Sequence, residues 1–490
     1  MRRKDIADIL HPKSIAVVGA TNDLSRGATG FLNCLLDIGY EGRIYPVNPN
    51  VDVSLGLKAY PSLTDVPETV DHVIVAVPAQ AAPAVIQDAA RKGVRSVHLF
   101  TAGFSEVDTR EGKALQEKML EAAQGKVRII GPNCMGIYNP RARVAFDEGQ
   151  PPTPGSAAFV SQSGGLATAF TKVAVREANL CSKVVSFGNS CDLKLTDFFE
   201  YLAEDDETKT ISMYIEGLSP GEGEKFLEIL KRTSPKKPVL IWKGGRSAEG
   251  ARAAFSHTGA MAGPFTLWSV LARQFGAVLV ETIEEMHDFI KLHRLMPAPE
   301  SLRSCLVVFG GGCSVAYADV CAAEGVGLPE LNKQTQEALL AFIAPMGTIL
   351  KNPVDVSASG WRPNVLEETL LTVARDPQVG SIVFISQMVF VGNISARFGI
   401  DPRDVLTHQA HGVAAAARRL PIPVLCANPP AMEGLDAEKV RLHLKDELEK
   451  NAVPSFPTFE RTVKALKRYH DYNRFIRALP SRRLPGNGLP

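Results

Sequence analysis

Three times along the chain a short apolar run ends in glycine and hands over to a helical pattern. The glycines are Gly19 after Ser14-Ile-Ala-Val-Val, Gly164 after Ala157-Ala-Phe-Val-Ser-Gln-Ser, and Gly310 after Ser304-Cys-Leu-Val-Val-Phe. A run with no polar alternation is a strand buried on both faces, and helices must cover both of them. Three such openings predict three doubly wound α/β domains in series.

The rest of the pattern agrees. The first block adds strand runs at Arg43–Val47, His72–Val77, Ser96–Phe100 and Val127–Ile130, with helical patterns at Ala79–Lys92 and Thr109–Gln124. After the linker Pro151-Pro-Thr-Pro-Gly come runs at Ala157–Val160, Lys183–Ser186, Ile211–Ile215, Val239–Trp242 and Ala277–Val280, then a helix over Thr282–Leu295. The third block follows Met296-Pro-Ala-Pro, with strands at Ser381–Ser386 and Pro423–Ala427 and helices at Asp436–Asn451 and Phe459–Ile476. The expected domains are residues 1–148, 149–298 and 299–478, with 479–490 as a disordered tail.

The 490-residue length suits three domains. Lys and Arg total 54 against 53 Asp and Glu, a formal charge of +1, which argues against a basic nucleic-acid face. No apolar run is long enough to span a bilayer, and Met1–Leu10 is too polar for a secretory signal. The eight cysteines contain no CxxC and no metal-ligand spacing, so reduced core thiols in a cytoplasmic protein are expected.

Chemistry-bearing residues gather at the carboxyl ends of strands, where open α/β sheets bind ligands. The loop Gly19-Ala20-Thr21 to Ser25-Arg26-Gly27 leads into a helix start, which offers N–H groups to an anion. It lacks GxGxxG spacing, and the second strand ends Asn48-Pro49 where a nicotinamide site wants a carboxylate for the ribose. A glycine turn that merely packs is the alternative. Ser163-Gly164-Gly165 forms a second anion cradle. Downstream lies Lys243-Gly-Gly-Arg246, then Ser256-His257-Thr-Gly259-Ala-Met-Ala-Gly263. A histidine among Ser, Thr and Gly sits on a loop that can approach a substrate, and imidazole is a competent nucleophile at neutral pH. Glu216, at the end of a strand, is the best-placed carboxylate to fix its tautomer. The bland alternative is a capping loop with a surface imidazole.

The order of His11-Pro-Lys-Ser-Ile-Ala-Val-Val-Gly-Ala, Ile130-Gly-Pro-Asn-Cys-Met-Gly, Ser161-Gln-Ser-Gly-Gly and Ser256-His-Thr-Gly-Ala-Met-Ala-Gly resembles the α subunit of NDP-forming acyl-CoA synthetases, the ADP-forming acetate:CoA ligases. It is similar, more distantly, to succinyl-CoA synthetase α, and Lys351-Asn-Pro-Val-Asp-Val matches a further motif. The resemblance implies a Rossmann-like CoA-binding domain followed by two flavodoxin-like domains. It implies that acyl-CoA and phosphate give acyl phosphate and CoA, that His257 takes the phosphoryl group with support from Glu216, and that ADP then receives it. Ser163, Gly164, Gly165, Lys243, Arg246 and Gly259 would contact phosphate. Gly19, Ala20, Thr21, Ser25, Arg26, Asn48, Pro49, Val77, Pro78, Thr101, Ala102, Gly103, Asn133 and Cys134 fall on the loops that hold CoA.

The family places ADP/ATP and Mg²⁺ on an ATP-grasp domain, and this chain carries no P-loop motif. A separate ATP-grasp β subunit is therefore the expected partner, in an α2β2 assembly or around an α dimer. The resemblance leaves the acyl group open. The Gly310-Gly-Gly-Cys313 loop departs from relatives, and a structural or docking role is expected there. Two other readings stand beside this one: a non-catalytic CoA-binding regulatory or scaffold protein on the same fold, and a nicotinamide oxidoreductase.

Overall fold

The computed structural model describes residues 3–252, 265–344, 348–360, 362–430 and 434–479. The chain divides into two compact units, residues 1–287 and 288–490.

In the first unit, β1 (Ser14–Val18), β2 (Arg43–Val47), β3 (His72–Val75), β4 (Ser96–Leu99) and β5 (Arg128–Ile130) form a parallel sheet in the order β2-β1-β3-β4-β5. Beyond β2, a single parallel bridge from Val47 to Tyr60 stands where a Rossmann sheet places its next strand. All five residues of β1 are buried, as a strand covered on both faces requires. The helix Ala82–Lys92 shows how the cover is made. Ala82, Ile86, Ala89 and Ala90 recur at helical spacing and face the core, and left-handed Gly93 ends the helix.

A second sheet in the same unit holds β6 (Gly136–Tyr138), β7 (Ala157–Ser161), β8 (Cys181–Ser186), β9 (Thr210–Ile215), β10 (Val239–Lys243) and β11 (Val278–Val280). Its order is β11-β10-β9-β7-β8-β6. The five parallel strands have the flavodoxin-like order, with the switch point between β7 and β9. Strand β6 comes from the stretch expected to close the first domain, yet it pairs antiparallel with β8. The chain thus leaves the first sheet after Ile130 and edges the second before reaching the proline-rich linker. Further ties join the two sheets. Asn189 and Cys191 donate backbone N–H groups to Pro132 and Gly131, each at 3.0 Å, and Arg128 clasps Asp192 at 2.8 and 2.9 Å.

The second unit has a third sheet of β12 (Ser304–Val308), β13 (Ile349–Leu350), β14 (Val354–Asp355), β15 (Ser381–Ile385), β16 (Val424–Ala427) and β17 (Ser455–Phe456), ordered β13-β14-β12-β15-β16-β17. Its core gathers Val307, Leu370, Phe384, Leu406, Val413 and Leu444. The Lys351-Asn-Pro-Val-Asp-Val motif braces this sheet. Asn352 accepts from the Leu306 N–H at 3.1 Å and donates to Ser304 and Pro329 carbonyls, each at 2.9 Å. Asp355 accepts from Gly310 at 2.8 Å and Ser357 at 2.9 Å, so the Gly310 loop is held by a structural carboxylate. All eight cysteines are free thiols, six of them buried. Among the described residues no helix is long and apolar enough to cross a membrane.

The first sheet carries an acid-sensitive pair. His72 and His98 are buried and share a 3.0 Å hydrogen bond, and His72 Nδ1 lies 2.8 Å from Ser96 Oγ. Burial pushes His72 down to about 4, against the opposing pull of Asp71, and burial with the His72 charge drives His98 well below its ordinary value. In the unfolded chain both protonate near pH 6.5. Stability is therefore whole above about pH 6.5 and is lost as pH falls toward about 4, on the order of 3 kcal/mol for His72 alone. Urea midpoints at pH 7 and pH 4.5 check this, and the drop should shrink in His72→Gln.

Candidate functional site

The first cluster lies at the carboxyl ends of β1, β2 and β3. A cleft of about 700 Å³ is lined by Gly19, Thr21, Arg26, Asn48, Pro49, Val77 and Pro78. A hollow of about 370 Å³ beside it shares Val77 and adds Thr101, Ala102 and Asn133. Gly19 is needed here, because it has φ +99° and a Cβ would come within 2.7 Å of the Ala76 carbonyl oxygen. Thr21 is set by Thr29, whose hydroxyl accepts the Thr21 N–H at 3.0 Å. Asn48 donates to the Ala20 carbonyl at 2.9 Å and accepts from Asn50 N–H at 2.9 Å, so the glycine loop and the end of β2 brace each other. The helix Gly27–Asp37 starts without a side-chain cap, which leaves its first N–H groups facing this loop.

Four residues expected here do not line either hollow. Ala20 is buried, Ser25 bonds Asp23 at 2.6 Å, and Gly103 donates its N–H to Glu106 at 2.6 Å. Cys134 is buried beneath, its thiol pushed up to about 12 by burial, which removes it as a nucleophile. The cleft also takes in Ser62 and Asp88. These lie on a short loop and mid-helix, where nothing in the local pattern marks them.

The second cluster lies at the switch point of the second sheet. Ser163 caps the helix Gly164–Arg176, its hydroxyl accepting the Leu166 N–H at 3.3 Å. Across the switch, Glu216 follows β9 and is 5% exposed. Gln162 accepts from the N–H of Glu216 at 2.5 Å and of Gly217 at 3.2 Å, which fixes the turn that carries the carboxylate. Tyr214 donates to Glu216 Oε1 at 3.1 Å. Gly244 makes that possible, since a Cβ there would come within 2.7 Å of the Tyr214 oxygen. The result is a carboxylate fixed in direction beside a helix start, an arrangement able to orient an imidazole or bias a proton.

The two cations expected at phosphate are engaged elsewhere. Lys243 is buried, and its amine donates to the carbonyls of Glu216, at 2.7 Å, and Gly244. Burial lowers its pKa, opposed by the Glu216 charge. It therefore supports the Glu216 turn from behind. Arg246 pairs with Glu281 at 2.7 Å and lies over the Phe265 ring. His257 and Gly259 lie outside the described residues. Gln162 and Tyr214 were not among the expected site residues. Tyr214 was findable, because it stands two residues before Glu216 and so on the same face of the strand.

The two clusters are linked through the segment Gly131–Gly136. Asn133 lines the smaller hollow, and two residues on, Met135 donates its N–H to Ser186 at the end of β8, at 3.1 Å.

Three family models match the chain: a CoA binding domain over residues 13–140, a succinyl-CoA ligase-like flavodoxin domain over 154–293, and a ligase-CoA domain over 305–415. The α subunit of acetate–CoA ligase (ADP-forming) II from Pyrococcus furiosus is 35% identical, covering 91% of this chain and 93% of its own. The acetate–CoA ligase (ADP-forming) of Methanocaldococcus jannaschii is also 35% identical, but its match covers 72% of this chain and 49% of that protein. Among solved structures, acetyl-coenzyme A synthetase 1 of Ca. Korarchaeum cryptofilum, in complex with phosphate and ADP, matches with a TM-score of 0.78. It is 30% identical and covers 96% of this chain and 97% of that one.

Proposed function

Because the chain belongs to the family of ADP-forming acetate–CoA ligases, which are NDP-forming acyl-CoA synthetases, we propose that it is the half of such an acid–thiol ligase that handles CoA and carries the phosphoryl group. Phosphate oxygen attacks the thioester carbonyl, the C–S bond breaks, and CoA leaves with a proton. His257 then attacks phosphorus, releasing the carboxylate. ADP takes the phosphoryl group from phospho-His257 to give ATP, and each step runs in reverse for acyl-CoA synthesis.

The residues divide this work. The Gly19 loop, Asn48, Val77 and Thr101 hold CoA. The Ser163-Gly164-Gly165 helix start receives the phosphoryl oxygens, and Glu216 orients the imidazole and stabilises its cationic form. The observation that carries this reading is the Glu216 carboxylate, buried and aimed by Gln162, Tyr214 and Lys243 across the switch point from the helix start at Ser163. Lys243 holds the turn and Arg246 balances Glu281, so neither is assigned to phosphate.

Nucleotide and Mg²⁺ belong to a separate ATP-grasp subunit. That fits a chain matching 93% of a relative named as an α subunit and 49% of another named for the whole ligase. We place the assembly in the cytoplasm, as α2β2 or built on an α dimer. The test is to incubate the purified chain with labelled phosphate and a panel of acyl-CoAs. Acid-labile, base-stable label is expected with the cognate acyl-CoA. Binding of CoA with no label from any acyl-CoA, or from acetyl phosphate, would leave a CoA-binding scaffold instead.

A further inference from the structure

The amino-terminal end of the first sheet carries another cavity, of about 380 Å³. His11 and Lys13, just before β1, face Tyr40 and Glu41, before β2, and Arg141 and Arg143, after β6. The strand between this cavity and the CoA-side cleft is five residues, about 17 Å long. We propose that this is a second anion site, separate from the CoA and phosphohistidine chemistry, that binds a phosphoryl group on a small molecule.

The charge is one-sided. Two arginines and one lysine line the cavity against a single carboxylate, Glu41, and the His11 ring lies beside them with its Nδ1 3.0 Å from the Ala7 carbonyl oxygen. Glu41 is 80% exposed and 3.4 Å from Arg143, a pair held loosely enough to yield to a ligand. Arg141 pairs with Glu207, whose charge is shared with the Lys183 amine at 2.8 Å. Lys13 is exposed and has no ion-pair partner among the described residues, while its backbone N–H is tied to Asp71 at 2.9 Å.

The frame is built rather than incidental. Fully buried Asn139 donates to the Leu10 carbonyl at 2.8 Å and accepts from the N–H groups of Arg141 and Ala142 at 3.1 and 3.3 Å. One side chain thereby locks the arginine turn to the segment entering His11. Tyr40 locks the third segment, donating to the Pro12 carbonyl at 2.8 Å. Arg143 is held left-handed at φ +52°, a conformation that non-glycine residues keep only when their surroundings impose it. Separate cations carried on fixed segments around one hollow match the several oxygens of a phosphoryl group better than a carboxylate, which one arginine fork would satisfy. The volume is that of a small-ligand pocket.

The test is calorimetric titration of the full chain, saturated with CoA, with pyrophosphate in one arm and AMP in the other. Wild type should bind at least one probe, and Lys13→Gln/Arg143→Gln should weaken that binding at least tenfold, with unfolding temperature and CoA affinity unchanged. Tighter AMP binding assigns a phosphate ester, and tighter pyrophosphate binding an inorganic anion. Should the double variant melt early, Ala142→Glu keeps the cations, adds a carboxylate at the rim and must give the same tenfold loss. Equal binding by wild type and a folded variant, or no binding of either probe to wild type, overturns the proposal.

Discussion

Alanine at position 257 is expected to abolish phosphoryl uptake from acyl-CoA and phosphate, by at least about 10³-fold, while CoA affinity stays within about twofold. Alanine offers no nucleophile, and three buried histidines of the first unit, His72, His98 and His287, cannot substitute. His72 and His98 are fixed inside the first sheet, and His287 is buried with its Nε2 3.1 Å from the Phe170 carbonyl oxygen. Among the described residues the CoA-side cleft is lined by residues 18–88 and the hollow beside it by residues up to 133, and these positions keep their side chains in the variant. Acid-labile label on wild type and none on His257→Ala, with matched CoA titrations, is the expected pair of results. Label that survives in His257→Ala would move the phosphoryl carrier to another residue.

Glutamine in place of Glu216 should slow phosphoryl transfer by about 10²–10⁴-fold with the fold intact. The fold should hold because Gln162 grips the backbone of residues 216 and 217, and that grip does not depend on the carboxylate. What disappears is the negative charge that stabilises an imidazolium and selects its tautomer. The same charge supports the charged form of Lys243, so the Lys243 pKa should fall further in the variant. Single-turnover labelling should show the loss in the transfer rate and not in CoA dissociation. A loss below tenfold would make Glu216 a structural carboxylate only.

Strands of four or more apolar residues were legible in the sequence, because burial on both faces leaves no polar position. Ser14–Val18 and Ser304–Val308 are buried throughout. Two-residue strands such as Ile349–Leu350 and Ser455–Phe456 are too short to show a period and are set by their sheet neighbours. The placement of Gly136–Tyr138 on the second sheet is likewise a long-range outcome, specified by pairing with residues 184–186. Lys243 shows a different limit. A lysine in a Lys-Gly-Gly-Arg run suggests an anion contact, but the last residue of a buried strand turns its amine inward, where two carbonyls take it. The amino-end cavity joins segments around residues 11, 40 and 141, and no local pattern links them.

The crossing of Gly136–Tyr138 from one sheet to the next bears on how this protein can be cut, exchanged or recombined. A fragment ending at the proline-rich stretch would carry away the edge strand of its neighbour. It would leave β8 with a bare row of N–H and C=O groups, an invitation to pair with another chain. Chimeras meant to trade acyl specificity between relatives should keep residues 1–287 whole. The portable module is the pair of sheets, and a seam placed between them would divide a structure that the chain itself has stitched shut.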